Sequence, residues 1–211
     1  MDERVKNAGL AYDRAIFNGD SSGLAAADSG LDAVEADLAV ARGRLIHARF
    51  LEGADEDPRE LALFERAAEL YAVAGNLRGE AEALFWIGIF HQLVRRDNDA
   101  AVPAFERSRD LATRADDPLT LSYSLRHLGI AEHAAGRLAA ARERLAESTR
   151  LRREIGLMGG VAANLVGLIY IAAAEGRRTD ALALADEAEA IAEAADARAI
   201  LRQVHEAREA L

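Results

Sequence analysis

The chain has 211 residues, of which 51% are hydrophobic, and its formal net charge is -10. Enough apolar residues are present for a sizeable core, which excludes a disordered chain. The acidic balance argues against direct binding to nucleic acid and against an anionic membrane surface, because both require a basic protein face. The absence of cysteine excludes disulfides and thiolate chemistry, and without a long apolar run we expect a cytoplasmic location.

Taken in chain order, residues 1–35 are predicted to form a degenerate first helical hairpin. Beyond them, apolar residues recur at helical spacing, and equivalent positions recur at a step of 40 or 41 residues. This step predicts four repeats, at residues 36–76, 77–117, 118–157 and 158–196. The equivalent positions are Ala101, Ala141 and Ala181; Phe64, Phe105, Leu145 and Ala185; Leu70, Leu111, Leu151 and Ile191; and the turn positions Gly75, Asp116, Gly156 and Asp196.

Each copy contains two helical stretches joined by a turn, such as the one at Gly136, and is therefore predicted to be an antiparallel hairpin. One hairpin cannot bury its own apolar faces, so successive hairpins must stack into a solenoid with a continuous core. Residues 197–211 are amphipathic, which predicts a helix that caps the end of the array. The sequence thus predicts a single all-α repeat domain over residues 1–211.

The stretch LRHLGIAEHAAGRLAAARERLAEST, residues 125–149, resembles a tetratricopeptide repeat. The stretch GNLRGEAEALFWIG, residues 75–88, and the long repeat step are similar to the long-helix version found in sensor arrays of bacterial transcriptional regulators and signalling ATPases. The resemblance covers about residues 36–195. It implies a right-handed superhelical solenoid of about five hairpins with a C-terminal capping helix.

Three residues depart from the pattern of the family. Gly43 stands where a large residue is usual, and His47 stands where glycine or alanine is usual. Ile169 occupies the usual glycine position of the last copy. Each departure is interpreted as a packing compensation between the two helices of its hairpin.

The helix LFWIGIFHQL, residues 84–93, is apolar on all sides. The repeat register assigns one of its stripes to the core, and the resemblance places the other stripe on the concave, ligand-facing surface of the superhelix. The alternative is that these aromatic residues simply fill the core. The candidate ligand-binding residues of the concave surface are Arg44, Phe85, Trp86, Ile89, Tyr123, Arg126, Ile130, His133, Val166 and Tyr170.

A mostly apolar concave surface favours a protein-interaction module that binds a peptide segment or helix of a partner. Two alternatives stay open. One is a small-molecule sensor or enzyme whose apolar pocket is closed by the short superhelix, with Arg126, His133 or Tyr170 as its polar groups. The other is the sensor fragment of a larger transcriptional regulator. Self-association through an exposed end hairpin is also left open.

The sequence contains no recognisable motif for catalysis or metal binding. The five histidines include no pair spaced i, i+4, and the stretch GVAANLVG lacks the preceding strand and the following Gly-Lys-Ser/Thr of a phosphate loop. We therefore assign no catalytic residue, no metal and no cofactor.

Overall fold

The computed structural model describes residues 1–211 and contains helices without any strand. The predicted all-α class is therefore confirmed. None of the helices combines the length and the apolar composition needed to cross a membrane. The helices are α1 (Glu3–Asn18), α2 (Leu24–Leu51), α3 (Arg59–Val73), α4 (Leu77–Ile89), a π-helical turn (Phe90–Val94), α5 (Asn98–Arg114), α6 (Pro118–Ala134), α7 (Leu138–Glu154), α8 (Met158–Ala174), α9 (Arg178–Ala194) and α10 (Arg198–Glu209).

The chain divides into two compact units, residues 1–104 and residues 105–211. In the first unit, α1 packs on α2, α2 on α3 and α3 on α4. In the second unit, α6 packs on α7, α7 on α8, α8 on α9 and α9 on α10, and α10 also reaches α8. Packing between sequence neighbours is what a helical repeat predicts. One continuous array over residues 1–211, and its right-handed superhelical course, stay predictions.

From Gly75 onwards, the connections between helices share one backbone conformation. A residue with a left-handed φ between 48° and 75° occurs every 20 or 21 residues from Gly75 to Asp196. The N–H that follows it donates to a carbonyl five residues earlier in most of these turns, as in Arg137 to Glu132 at 2.9 Å and Leu157 to Arg152 at 2.8 Å. This pattern stops a helix by capping its last carbonyls. The left-handed residues are Gly75, Arg96, Asp116, Gly136, Gly156, Gly176 and Asp196.

The π-helical turn Phe90–Val94 explains why some equivalent positions lie 41 residues apart and others 40. A π-helical turn adds one residue to a helix without adding a turn. The connection at Arg96 accordingly closes with a hydrogen bond that spans six residues, from the Asp97 N–H to the His91 carbonyl at 2.9 Å. Equivalent positions on either side of this segment, such as Phe64 and Phe105, therefore lie one residue further apart than the others.

The positions that the repeat step made equivalent are also equivalent in burial. Ala101, Ala141 and Ala181 are each fully buried, and so are Phe64 and Phe105. In α10, Val204 and Ala207 are buried in the core formed with α8 and α9. Helix α10 therefore packs on α8 and α9, and its predicted role as the cap of one continuous array stays a prediction.

Helix α2 differs from the predicted boundary at residue 36, because it runs through it without a break. Its two interior glycines face neighbouring helices instead of forming turns. Gly30 lies next to Arg4 of α1, and Gly43 lies under the Phe64 ring of α3. One long helix of 28 residues therefore packs against both α1 and α3.

Replacing Gly129 with leucine should lower the free energy of unfolding by about 1–2 kcal/mol, because added side-chain volume in a packed core causes strain. A Cβ at Gly129 would lie 3.1 Å from Leu145 Cγ and 3.2 Å from the Ala141 carbonyl oxygen, where α6 meets α7. Gly9 is the matched control, since a Cβ there meets nothing within 4 Å. Urea unfolding of both variants tests this, and an equal effect at the two positions would remove Gly129 from the helix contact.

Candidate functional site

Several polar side chains of the second unit occupy repeat positions that are buried alanines in another copy, and four of them form one hydrogen-bonded group. Ser122, Ser148, Arg152 and Asn164 are all at most 2% exposed. A charged or amide side chain at a buried-alanine position is a signal that the sequence analysis did not use. The corresponding alanines are Ala81 and Ala162 for Ser122, Ala67 and Ala188 for Ser148, Ala112 and Ala192 for Arg152, and Ala83 for Asn164.

Asn164 of α8 joins these residues to Arg126 of α6. Its Oδ1 accepts hydrogen bonds from Arg126 Nη1 at 3.0 Å and from Arg152 Nη1 at 3.1 Å. Its Nδ2 donates to Ser148 Oγ at 2.8 Å, and Ser148 Oγ in turn donates to the Ser122 carbonyl at 2.6 Å. One amide oxygen therefore holds two guanidinium groups side by side. We name Ser122, Arg126, Ser148, Arg152 and Asn164 the two-arginine cluster.

Further contacts fix both guanidinium groups. Arg126 Nη1 donates to the Ala163 carbonyl at 2.7 Å, and Arg152 Nη1 donates to the Gly160 carbonyl at 2.8 Å. The Arg152 guanidinium also lies 4.9 Å from the centre of the Tyr123 ring. All these partners are neutral. The cluster is therefore ordered by dipoles and an aromatic face, without a carboxylate.

The electrostatics of the cluster are those of two adjacent positive charges. Burial lowers the pKa of Arg126 to about 10. Burial, followed by the positive charge of Arg126, lowers the pKa of Arg152 to about 10. Both groups stay protonated at neutral pH, because that pH is well below these values. In addition, Arg152 Nη2 is buried and has no hydrogen-bond partner.

Such an arrangement favours an anion. A buried charge is costly unless a counter-charge and hydrogen bonds compensate it. Carboxylate and phosphate groups are the usual partners of guanidinium, since they accept two parallel hydrogen bonds. The cluster is thus a local centre of positive charge in a chain whose net charge is -10.

The predicted site residues of the second unit lie on two helices. Tyr123, Arg126, Ile130 and His133 are partly buried and follow one another at helical spacing along one face of α6. On α8, Val166 is buried and Tyr170 is 40% exposed. The bond from Arg126 to the Ala163 carbonyl brings the two helices together at this point.

The predicted site residues of the first unit divide into two groups. Phe85 and Ile89 are only 5% and 3% exposed, so their side chains offer almost no surface to a ligand. Trp86 stacks on Phe64 with ring centres 5.6 Å apart, and the exposed Arg44 lies 5.5 Å above the Trp86 ring. A groove that combines these residues with those of the second unit stays a prediction.

The buried pair of His47 and Glu60 was not predicted from the sequence. The side chains join α2 to α3, with 2.9 Å between His47 Nδ1 and Glu60 Oε1. Glu60 is fully buried, and its Oε2 has no hydrogen-bond partner. Burial raises the pKa of this carboxyl above its usual range. The signal was His47 itself, a polar residue at a position where the repeat usually has a small one.

No three His, Asp or Glu side chains are arranged so that they could hold a metal ion. Comparison with protein-family models and with curated proteins gives no match for this chain.

Proposed function

We propose that the chain is a tetratricopeptide-like repeat protein that binds a polypeptide segment of a partner through an anionic group. The observation that carries the proposal is the two-arginine cluster, in which the partly buried Arg126 and the buried Arg152 lie side by side without a carboxylate. A carboxylate or phosphate of the partner would supply the missing counter-charge. Arg126 is the residue that would meet it, because Arg152 is almost fully enclosed.

The energetics favour an anionic ligand over a neutral one. Two like charges that share one amide oxygen repel each other in a medium of low polarity. A bound anion offsets this repulsion and accepts charge-assisted hydrogen bonds, each of which contributes about 1.5–3 kcal/mol. The cluster is a local centre of positive charge in an acidic chain, which would orient an acidic segment towards it.

The surroundings of the cluster favour a polypeptide segment over a small ion. Tyr123, Ile130 and His133 extend from Arg126 along α6 for about ten residues, which corresponds to about 15 Å of helix. Tyr170 adds an exposed ring on α8. An elongated surface with aromatic side chains and one charged point is suited to an extended segment whose anionic group binds at one end.

Fluorescence anisotropy with labelled acidic peptides tests the proposal. The probes are one peptide series with a free C-terminal carboxylate, the same series with an amidated C-terminus, and a series with phosphoserine. Replacing Arg126 with glutamine should weaken binding of the preferred series about 10-fold or more, because a charge-assisted hydrogen bond is lost. Arg150 of α7, which is exposed and pairs with Glu154, is the matched control for the same substitution.

Three outcomes would contradict the proposal. The first is that none of the peptide series binds. The second is that the Arg126 and Arg150 variants bind a peptide equally well. The third is that inorganic phosphate or acetate displaces the peptides at equal concentration, since the site would then recognise a small anion and not a polypeptide. Thermal unfolding of each variant, followed by circular dichroism, separates loss of binding from loss of fold.

A further inference from the structure

The outer face of α2 carries a leucine at every seventh residue. The residues three positions further along complete the alternating spacing of three and four that is typical of a coiled coil. The opposite face of α2, which includes Ala36, Val40 and Ile46, is buried in the first unit. The outer leucines are Leu24, Leu31, Leu38 and Leu45, exposed by 42%, 38%, 46% and 62%, and the residues after them in the pattern are Ala27, Val34, Ala41 and Ala48.

Helix α1 does not cover this face. It packs on the side of α2 that carries Gly30 and on Gly23, which precedes α2; a Cβ added at these glycines would lie 3.8 Å from the Cβ atoms of Arg4 and Ala11, respectively. The four leucines stay exposed beside it. Helix α2 therefore has two apolar faces, and the chain itself buries only one of them.

The charges beside the leucines change sign along the helix. Asp28, Glu35 and Asp37 flank the N-terminal half, whereas Arg42, Arg44 and Arg49 flank the C-terminal half. A second copy of α2 in the antiparallel direction would place each acidic half against a basic half. A parallel copy would instead bring Arg44 close to Arg49 of the second copy, which is repulsive.

We propose that α2 pairs with α2 of a second copy in an antiparallel, two-fold symmetric coiled coil. A two-fold axis near residues 39 and 40 brings a large residue against a smaller one in each apolar layer, so that the helices approach closely. The same axis makes all three flanking charge pairs attractive. The layers are Leu31 with Ala48, Val34 with Leu45 and Leu38 with Ala41, and the charge pairs are Asp28 with Arg49, Glu35 with Arg42 and Asp37 with Arg44.

A groove between α2 and α3 supports this register. It has a volume of about 500 Å³, and its lining includes the apolar residues Leu45 and Leu63. Four arginines also line it, which stand out in a chain with a net charge of -10. In the proposed pair, the acidic half of the second α2 lies along these arginines. They are Arg42, Arg49, Arg59 and Arg66.

The single chain leaves part of this charge pattern unused. Glu35 already pairs with Arg66 at 2.8 Å, and Asp37 pairs with Arg4 at 2.6 Å, both at exposed positions. Asp28 and Arg49, in contrast, are exposed, and neither forms a close ion pair within the chain, although the charge of Arg49 contributes to lowering the pKa of Asp57. Of the three pairs, this one therefore reports most directly on association.

A charge-reversal experiment tests the register. The unaltered chain should sediment as a dimer at about 100 µM, and the dissociation constant should rise about 10-fold or more in Asp28→Arg and in Arg49→Asp, because each creates two like-charge contacts per dimer. The double variant Asp28→Arg/Arg49→Asp should restore the dimer. A monomeric unaltered chain, or a double variant that is no tighter than the single ones, would overturn the proposal.

Because the chain has no cysteine, introduced cysteines can test the relative direction of the two α2 helices by cross-linking without interference from native thiols. Under mild oxidation, a mixture of Leu31→Cys and Ala48→Cys chains should form a mixed disulfide dimer, whereas neither variant should cross-link efficiently alone. Cross-linking of Leu31→Cys with itself would overturn the antiparallel direction. The control is Leu182→Cys, an exposed leucine of α9 that should not accelerate cross-linking with either partner.

Discussion

Replacing His47 with leucine is expected to lower the free energy of unfolding by about 3 kcal/mol near pH 7, because it leaves a buried carboxylate without its partner. Glu60 is fully buried, and its Oε1 lies 2.9 Å from His47 Nδ1. Its second oxygen already lacks a partner. Binding a proton would relieve the cost of burying this isolated charge.

The pH dependence of this loss has a definite sign. Burial raises the pKa of Glu60 in the folded chain above its usual range, whereas contact with His47 opposes that rise. Without His47 the folded pKa rises further, so the folded state holds its proton to higher pH than the unfolded state does. Stability then falls as pH increases from the unfolded pKa to the raised folded value. The deficit of the His47→Leu variant should therefore shrink as pH is lowered from neutrality towards the unfolded pKa.

Urea unfolding at several pH values measures both effects. The double variant His47→Leu/Glu60→Leu should recover most of the loss, because an apolar pair of similar volume replaces a buried polar one at little cost. His205→Leu is the matched control, since His205 pairs with Glu189 at 3.2 Å on an exposed surface and should matter far less. If the double variant is as unstable as His47→Leu alone, the loss comes from packing and not from the buried carboxylate.

Replacing Gly43 with leucine should destabilise the first unit by about 3 kcal/mol, because the space it would enter is filled. A Cβ at this position would lie 2.5 Å from Phe64 Cε1 and 2.6 Å from Phe64 Cζ. Phe64 is fully buried and stacks on Trp86 at 5.6 Å, so the ring has little freedom to move away. The effect should exceed that of Gly129→Leu, where the nearest contact is 3.1 Å.

A double variant that enlarges the side chain at Gly43 and shrinks the one at Phe64 provides the control. Truncating Phe64 to alanine costs stability by itself, because it leaves a cavity. Combined with Gly43→Leu, it should cost less than the sum of the two single losses, since the new side chain fills part of the space left by the ring. Additive losses measured by urea unfolding would show that Gly43 and Phe64 do not share this space.

The repeat could be predicted from the sequence because the interactions that form each helix and turn are local. Helical spacing of apolar residues defines each helix, and a residue able to adopt a left-handed φ ends it. Gly75, Gly136 and Gly156 mark these turns directly, and Asp116 and Asp196 do so through the tolerance of aspartate for that conformation. The burial of Ala101, Ala141 and Ala181 follows from the same register. The turn at Arg96 was not predicted, because nothing in an arginine side chain indicates a left-handed φ.

The candidate site was only partly predictable from the sequence. Arg126 was found because helical spacing places it on the predicted ligand-facing stripe of α6. Its neighbour Arg152 was not found, because its position on the second helix of the hairpin is that of a core residue. The role of Arg152 depends on the Gly160 carbonyl and on Asn164, both of which belong to the next helix.

The sequence by itself thus determined the helical class, most of the turns and the repeated core positions such as Ala101, Ala141 and Ala181, since these depend mainly on interactions within about five residues of the chain. Tertiary structure alone decided which buried polar groups meet. His47 and Glu60 are 13 residues apart, and Arg126 and Asn164 are 38 residues apart. Tertiary structure also decided that Phe85 and Ile89 are buried. The physical reason is that helical periodicity fixes the face on which a side chain lies, whereas the packing of neighbouring helices fixes what that face touches.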